Sequence, residues 1–398
     1  VFLLPVVTLV VSAVQFLVSA GEASGDLYAS GVVNYLRQML PGTSFYGCAG
    51  PRLQSEGVNP VVDASRLAVV GLAEVVRHLP RIYGEYQKLL RAASRNRPDA
   101  ALLTDSPDFH LRVARRLKDM GVPVFYLVAP QVWAWRQGRV RTLRKLVDKL
   151  FCLFPFEERW FRERGVDALY IGHPLASVVR KSTTRSEFLD RNGLAAGQRT
   201  IVLLPGSRIG EAARHLPILF GAVRELRRKL PLSVLWATPK GFGASELLEK
   251  FREPIQSLSI KVLEDQTWDC IGHSDLALAA SGTVTVEAAI LGTPMVTFYK
   301  VSPLSWYGAR HLVKVPFLSM VNLIADRQVV PELIQNAMTP ESIATEAASL
   351  LSNERKASDM RTGLASVRAA LTGSGDPFET AASAILASIH PARMAGVC

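Results

Sequence analysis

The segment Ser281-Gly282-Thr283-Val284-Thr285-Val286-Glu287 carries residue types suited to holding a phosphorylated ligand. It follows an apolar run ending at Ala280 that reads as a buried parallel strand, and it leads into small residues, Ala288 to Leu291, stopped by Gly292-Thr293-Pro294. A strand, a small turn and a short helix leave backbone N–H groups bare for an anion. Glu287 lies four residues beyond Thr283, on the same helix face and one turn deeper. A carboxylate there suits ribose hydroxyls while the helix start holds a diphosphate. The plain alternative is an ordinary βα junction with a surface glutamate, because such turns recur across α/β folds.

A second turn has the same build. Thr200 to Leu204 is an apolar strand that runs into Pro205-Gly206-Ser207-Arg208-Ile209-Gly210-Glu211 and then a long helical pattern. Glycine lets the backbone turn tightly and approach a ligand. Arg208 adds a planar fork matched to phosphate oxygens, unless it is simply a solvated loop residue.

These turns need a large α/β scaffold, and 398 residues suffice for two domains. Lys and Arg outnumber Asp and Glu by 46 to 35, a net charge of +11 that favours anionic partners. No RNA-binding signature accompanies the charge, so no nucleic-acid partner is expected. The four cysteines, Cys48, Cys152, Cys270 and Cys398, form no CxxC pair and read neither as a zinc site nor as a disulfide framework. Val1 to Ala20 lacks charged side chains and has the length of a membrane span, but no basic stretch precedes it. Its second part, Gln15 to Ala20, reads better as a strand feeding the turn Gly21-Glu22-Ala23-Ser24-Gly25-Asp26, and residues 1–14 as an extension.

Strands alternate with helices throughout. The pattern places strands near 16–20, 44–48, 100–104, 122–128, 150–154 and 167–171, then near 200–204, 232–237, 259–263, 275–280 and 295–299. The fold class expected is α/β, with two doubly wound parallel-sheet domains whose ligands bind at the carboxyl ends of strands, in a cleft between them. The expected boundaries are 1–180, 181–372, and a C-terminal helix over 373–398 that returns to the first domain or to a partner subunit.

Several motifs occur in a fixed order: GEASGD from Gly21, TDSPDF from Thr104, APQVWAWRQGR from Ala129, Phe154-Pro155-Phe156-Glu157, IGHP from Ile171, LLPGSR from Leu203, SGTVTVE from Ser281, and Asn322-Leu323-Ile324-Ala325. As a set, from Phe16 to Ile389, they resemble the lipid A disaccharide synthases, inverting glycosyltransferases of the GT-B fold. The first fifteen residues lie outside the resemblance.

The resemblance implies a UDP-diacylglucosamine donor, diacylglucosamine 1-phosphate (lipid X) as acceptor, and a β-1,6 disaccharide phosphate plus UDP as products. It implies no cofactor and no metal, and the chain contains no DxD motif. An inverting transfer needs a base, positioning of both substrates, and stabilisation of charge growing on the diphosphate. Asp105, ending the strand Ala100 to Thr104, is the candidate base; His110 is a weaker one. Ser106, Pro107 and Asp108 read as a helix opening, with Ser106 as cap. Gly206, Ser207, Arg208, Ser281, Gly282, Thr283 and Glu287 are the UDP-binding candidates, and Asn322 joins them through the resemblance alone. Gly21, Glu22, Ser24, Gly25 and Asp26 are expected on the acceptor side, with turn and cap chemistry as the alternative for Glu22 and Asp26.

Acylated substrates imply an inner-membrane surface as partner and a cytoplasmic, peripheral location. Trp133, Trp135, Arg136 and Arg139 mix aromatic and cationic groups suited to headgroups or to the acceptor phosphate. Val301 to Leu318, with Trp306, Tyr307, Arg310, Leu312, Lys314 and Phe317, is a second candidate surface; core packing is the alternative. A homodimer is left open. A UDP-sugar epimerase, or a nucleotide-sugar-binding protein without catalysis, would share the architecture.

Overall fold

The computed structural model of the chain describes residues 14–64, 72–242, 246–302, 306–308 and 315–394. Two compact units emerge: the chain up to Pro174 together with the stretch from Gly373 onward, and Leu175–Thr372.

The first unit is built on a parallel sheet of β1 (Gln15–Ala20), β2 (Ser44–Ala49), β3 (Asn59–Asp63), β4 (Ala100–Thr104), β5 (Val124–Leu127), β6 (Lys149–Cys152) and β7 (Ala168–Tyr170), in the order β3-β2-β1-β4-β5-β6-β7. Phe16, Leu17 and Val18 on β1, and every residue of β4, are buried. Strands covered on both faces must be largely apolar rather than alternating, as Phe16 to Val18 and Ala100 to Leu103 are. The helix Pro377–Met394 completes this core: Ala381, Ala382 and Ile385 are buried in it, and Phe378 fills the space beside Gly31 on the helix Ala23–Met39. A Cβ on Gly31 would stand 2.5 Å from the Phe378 ring.

The second unit holds β8 (Arg199–Leu204), β9 (Leu232–Thr238), β10 (Ile260–Glu264), β11 (Leu276–Ala280), β12 (Met295–Tyr299) and β13 (Glu332–Ile334), ordered β10-β9-β8-β11-β12-β13 and again parallel. Both sheets therefore reverse their winding once, between β1 and β4 in the first unit and between β8 and β11 in the second. Connections leave in opposite directions at such a point, and the crevice beyond the strand ends is where doubly wound sheets bind ligands.

The expected strands are all present. Two further ones, β3 and β13, lie at the sheet edges, where Pro60 is tolerated because an edge strand can leave an N–H position unpaired. Gln15 to Ala20 is a strand, as read from its exit into the glycine turn. Residues 1–13 lie outside the described residues, and with them most of the proposed extension.

Candidate functional site

In the first unit the register pairs Ala20 with Thr104, so the next residues, Gly21 and Asp105, leave the sheet side by side at the switch point. The Gly21 N–H donates to Asp105 Oδ1 at 2.9 Å and the Glu22 N–H to Oδ2 at 3.0 Å. Neither Gly21 nor Gly25 has room for a side chain: Ser106 and the Asp105 carboxylate fill the space at Gly21, and the Asp105 carboxylate fills it at Gly25.

The backbone at this corner is strained. Asp105 (φ 53°) and Ser106 (φ 37°) are both left-handed, a conformation costing a non-glycine residue on the order of 1 kcal/mol or more. Two side chains hold the Asp105 carbonyl oxygen in place: the Tyr126 hydroxyl donates to it at 2.5 Å, and His110 Nδ1 at 3.0 Å. A carbonyl only accepts, so Nδ1 carries the proton, and Nε2 accepts from the Ser19 hydroxyl at 2.7 Å. Burial pushes the His110 pKa down to about 4, which keeps the ring neutral. Both ring nitrogens are thus occupied, Nδ1 by the Asp105 carbonyl and Nε2 by the Ser19 hydroxyl. The left-handed turn also redirects Ser106. It occupies the N-cap position but makes no side-chain cap, and its hydroxyl hydrogen-bonds the Asp105 carboxylate.

Burial raises the Asp105 pKa to about 7, against the pull of the Gly21, Ser106 and Glu22 hydrogen bonds, which favour the charged form. A carboxylate tuned near neutrality and held by backbone amides can accept a proton from a hydroxyl.

The other residues expected on this side separate into two groups. Glu22 and Ser24 are exposed and Gly25 packs against Asp105. Asp26 is buried and accepts from the N–H groups of Gly50, Arg52 and Leu53, so its carboxylate caps the helix Pro51–Ser55. Trp133 is also buried, its indole N–H donating to Glu157 at 3.0 Å; it anchors its segment from within and is not a surface group. Trp135 is half-exposed, with the Arg136 guanidinium 4.2 Å over its ring. Arg136 and Arg139 both pair with Asp108.

In the second unit the register pairs Leu204 with Ala279, bringing the two candidate turns together at that sheet's switch point. A cavity of about 630 Å³ opens there, lined by Gly206, Ser207, Ser281, Gly282, Thr283 and Glu287. The helix Thr283–Leu291 starts at its rim and stops at Gly292, which is left-handed. The first-turn N–H groups of Thr283 and Val284 have no partner within the helix and are available to an anion, while that of Thr285 donates to the Gly282 carbonyl. The Ser281 hydroxyl donates to the Leu318 carbonyl, fixing the turn. Glu287 accepts from the Trp268 indole N–H at 3.0 Å, and burial raises its pKa.

Arg208 precedes the helix Ile209–Arg227 with its side chain largely exposed, 3.7 Å from Glu211, a residue of the cavity wall. Asn322 stands apart from the lining. It is fully buried, its amide donating to the Val330 carbonyl and Glu332 and accepting from the N–H groups of Val329 and Val330. Glu332 in turn accepts from the N–H groups of Leu318 and Ser319. Asn322 thus bears on the cavity through the loop that fixes Ser281. Trp306 is half-buried and Tyr307 exposed, while Arg310, Leu312 and Lys314 lie outside the described residues.

The sequence reading missed Arg180, Lys240, Gln266 and Trp268, which also line the cavity. Lys240 follows β9, and Gln266 and Trp268 follow β10. Extending the strand-end argument to every strand of the second sheet would have found these three.

A family model described as lipid-A-disaccharide synthetase matches residues 16–376. The lipid-A-disaccharide synthase of Solibacter usitatus is 56% identical over 359 residues, which span 90% of this chain and 93% of that protein. The lipid-A-disaccharide synthase of Myxococcus xanthus is 40% identical, over 96% of this chain and 99% of its own. Among solved structures, a putative UDP-N-acetylglucosamine 2-epimerase from Listeria monocytogenes aligns with a TM-score of 0.60 at 15% identity, over 95% of this chain and 96% of its own. The glycotransferase of kitacinnamycin gives 0.61 at 14% identity, over 95% and 99%. Likeness at that identity shows the shared two-unit α/β architecture of the GT-B type and nothing about substrate.

Proposed function

The chain belongs to the lipid-A-disaccharide synthetase family, and on that premise we propose how its residues divide the work. The activity is formation of the lipid A disaccharide. The sugar of UDP-2,3-diacylglucosamine passes to the 6-hydroxyl of 2,3-diacylglucosamine 1-phosphate, giving the β-1,6 disaccharide 1-phosphate and UDP.

Asp105 is the base. Its carboxylate takes the proton of the acceptor hydroxyl as that oxygen bonds to the anomeric carbon of the donor and the bond to the diphosphate breaks on the opposite face. The electron pair of that bond leaves with UDP. The N–H groups of Gly206, Ser207, Gly282 and Thr283, with Arg208, receive the growing charge, while the Ser281 N–H donates to the Phe298 carbonyl and holds the turn. Glu287 accepts from the ribose hydroxyls. Gly21, Glu22 and Gly25 hold the base in register, and Asn322 supports the diphosphate turn from behind.

The observation that carries this reading is a carboxylate only 11% exposed, with its pKa raised to about 7, at the switch point of the first sheet. The turn-lined cavity at the corresponding point of the second sheet supports it.

Acylated substrates draw the enzyme to the cytoplasmic face of the inner membrane in a peripheral mode. Trp135, 47% exposed, and Tyr307, 63% exposed, offer aromatic surface for the headgroup region. Among the described residues no helix is long and apolar enough to cross a membrane.

The test is chromatographic separation of products from UDP-diacylglucosamine and the 1-phosphate acceptor. Asp105→Ala is expected to abolish transfer while UDP affinity, measured by calorimetry, stays unchanged. Normal transfer by that variant overturns the base assignment.

A further inference from the structure

The acceptor has two ends that an enzyme must recognise: the hydroxyl that attacks and, across the same sugar ring, a phosphate monoester. The donor's phosphates are assigned to the second unit, and the base to the first. A site for the acceptor phosphate therefore belongs in the first unit, one pyranose ring from Asp105.

Three residues beyond Asp105, Asp108 opens the helix Pro107–Asp119. Three residues of chain hold its Cα within about 11 Å of that of Asp105. Its carboxylate is 72% exposed and pairs with two guanidinium groups, Arg136 at 3.6 Å and Arg139. Two full positive charges against one carboxylate leave an excess of one. Arg139 and Asp108 both act electrostatically on the Tyr126 hydroxyl, the same hydroxyl that donates to the Asp105 carbonyl, so the guanidinium cluster lies within electrostatic range of the base's own support. Trp135 supports Arg136 by stacking under it at 4.2 Å, which limits the freedom of that side chain. Two preorganised guanidinium forks bridged by one exposed carboxylate are the arrangement that a phosphate, with three acceptor oxygens and a greater charge, can take over.

We propose that Arg136 and Arg139 form the recognition site for the acceptor's anomeric phosphate, and that Asp108 holds the pair in place until that phosphate arrives. The proposal rests on the catalytic reading above and deepens it. It assigns these arginines to the substrate rather than to the bilayer surface.

The experiment compares two acceptors, the 1-phosphate and its dephosphorylated analogue, both presented in neutral detergent micelles so that no acidic lipid contributes. Wild-type protein prefers the phosphorylated acceptor. In Arg136→Ala, Arg139→Ala and the double variant, KM for the phosphorylated acceptor rises about 10- to 100-fold per lost charged hydrogen-bonding partner, and the preference falls toward unity. KM for the dephosphorylated acceptor and UDP affinity stay unchanged, and Arg→Lys at either position restores part of the preference. Unaltered preference in the double variant overturns the proposal, as does an equal loss with both acceptors, which marks a structural or membrane role. Calorimetric binding of the phosphorylated acceptor, without donor, separates this from the catalytic reading. A protein that binds it through these arginines yet forms no disaccharide supports the phosphate site and overturns the chemistry alone.

Discussion

A Cβ atom on Gly25 would lie 1.7 Å from Oδ2 of Asp105. The turn after β1 thus shapes the room in which the carboxylate sits, and the two amides at Gly21 and Glu22 set its orientation. Gly25→Ala is expected to displace the carboxylate by about 1 Å or more and lower kcat about 100-fold, because reacting groups tolerate little misplacement. UDP affinity should not change, since its site is assigned to the other unit. A product assay beside a UDP titration checks both; full activity in this variant would remove Asp105 from the chemistry.

The pH dependence of rate and of stability should run in opposite directions. Burial raises the Asp105 pKa from 3.8 to about 7. The base works only when ionised, so kcat/KM for the acceptor climbs as pH rises toward 7 and levels off above it. The folded state holds this proton more tightly than the unfolded chain does. Its contribution to stability is therefore complete below pH 3.8 and is lost as pH rises to about 7. Glu157, buried against Trp133 and also raised to about 7, adds to the same loss of stability but not to the rate. Asp105→Asn should abolish the rate profile and flatten, without removing, the fall in Tm. A rate independent of pH across this window in the wild-type protein would count against a carboxylate base.

Much of the scaffold was legible because parallel strands covered on both faces must be largely apolar, and the runs at 100–103, 201–204 and 276–280 are apolar without a break. β3 and β13 escaped notice because an edge strand need not be apolar throughout and can carry Pro60 or Glu332. Asp105 was legible from its place at the end of a strand. The left-handed turn that re-aims Ser106, and the grip of Tyr126 and His110 on the Asp105 carbonyl, were not, because they join residues 5 and 21 positions apart through the fold. Trp133 and Asp26 show the same limit from the other side. Their residue types suit a surface or a site, but Glu157 and the N–H groups of Gly50, Arg52 and Leu53, brought near only by folding, claim them.

Glu287 should discriminate nucleotide from phosphate. Its carboxylate already accepts from Trp268 and keeps one oxygen for a ribose hydroxyl. Glu287→Ala is expected to weaken UDP about 10-fold or more, the value of one charged hydrogen bond, while leaving inorganic pyrophosphate affinity unchanged. Calorimetry with both ligands checks this. Equal weakening of the two would mean that the helix start, not the ribose contact, had been disturbed.

Asn322 is the residue whose variant separates direct from indirect action. Four hydrogen bonds tie its amide to Val329, Val330 and Glu332, and Glu332 holds the loop whose Leu318 carbonyl accepts from Ser281. Asn322→Ala strands buried donors at Val329 and Val330 and one carboxylate, which should destabilise the unit by about 3 kcal/mol. UDP affinity then falls together with Tm, because the turn at Ser281 loses its support. Asn322→Asp keeps acceptors for Val329 and Val330 but replaces the donor to Glu332 with a second acceptor, so it should also lower Tm. If either variant keeps the wild-type Tm yet loses UDP binding, Asn322 contacts the nucleotide itself and the indirect account fails.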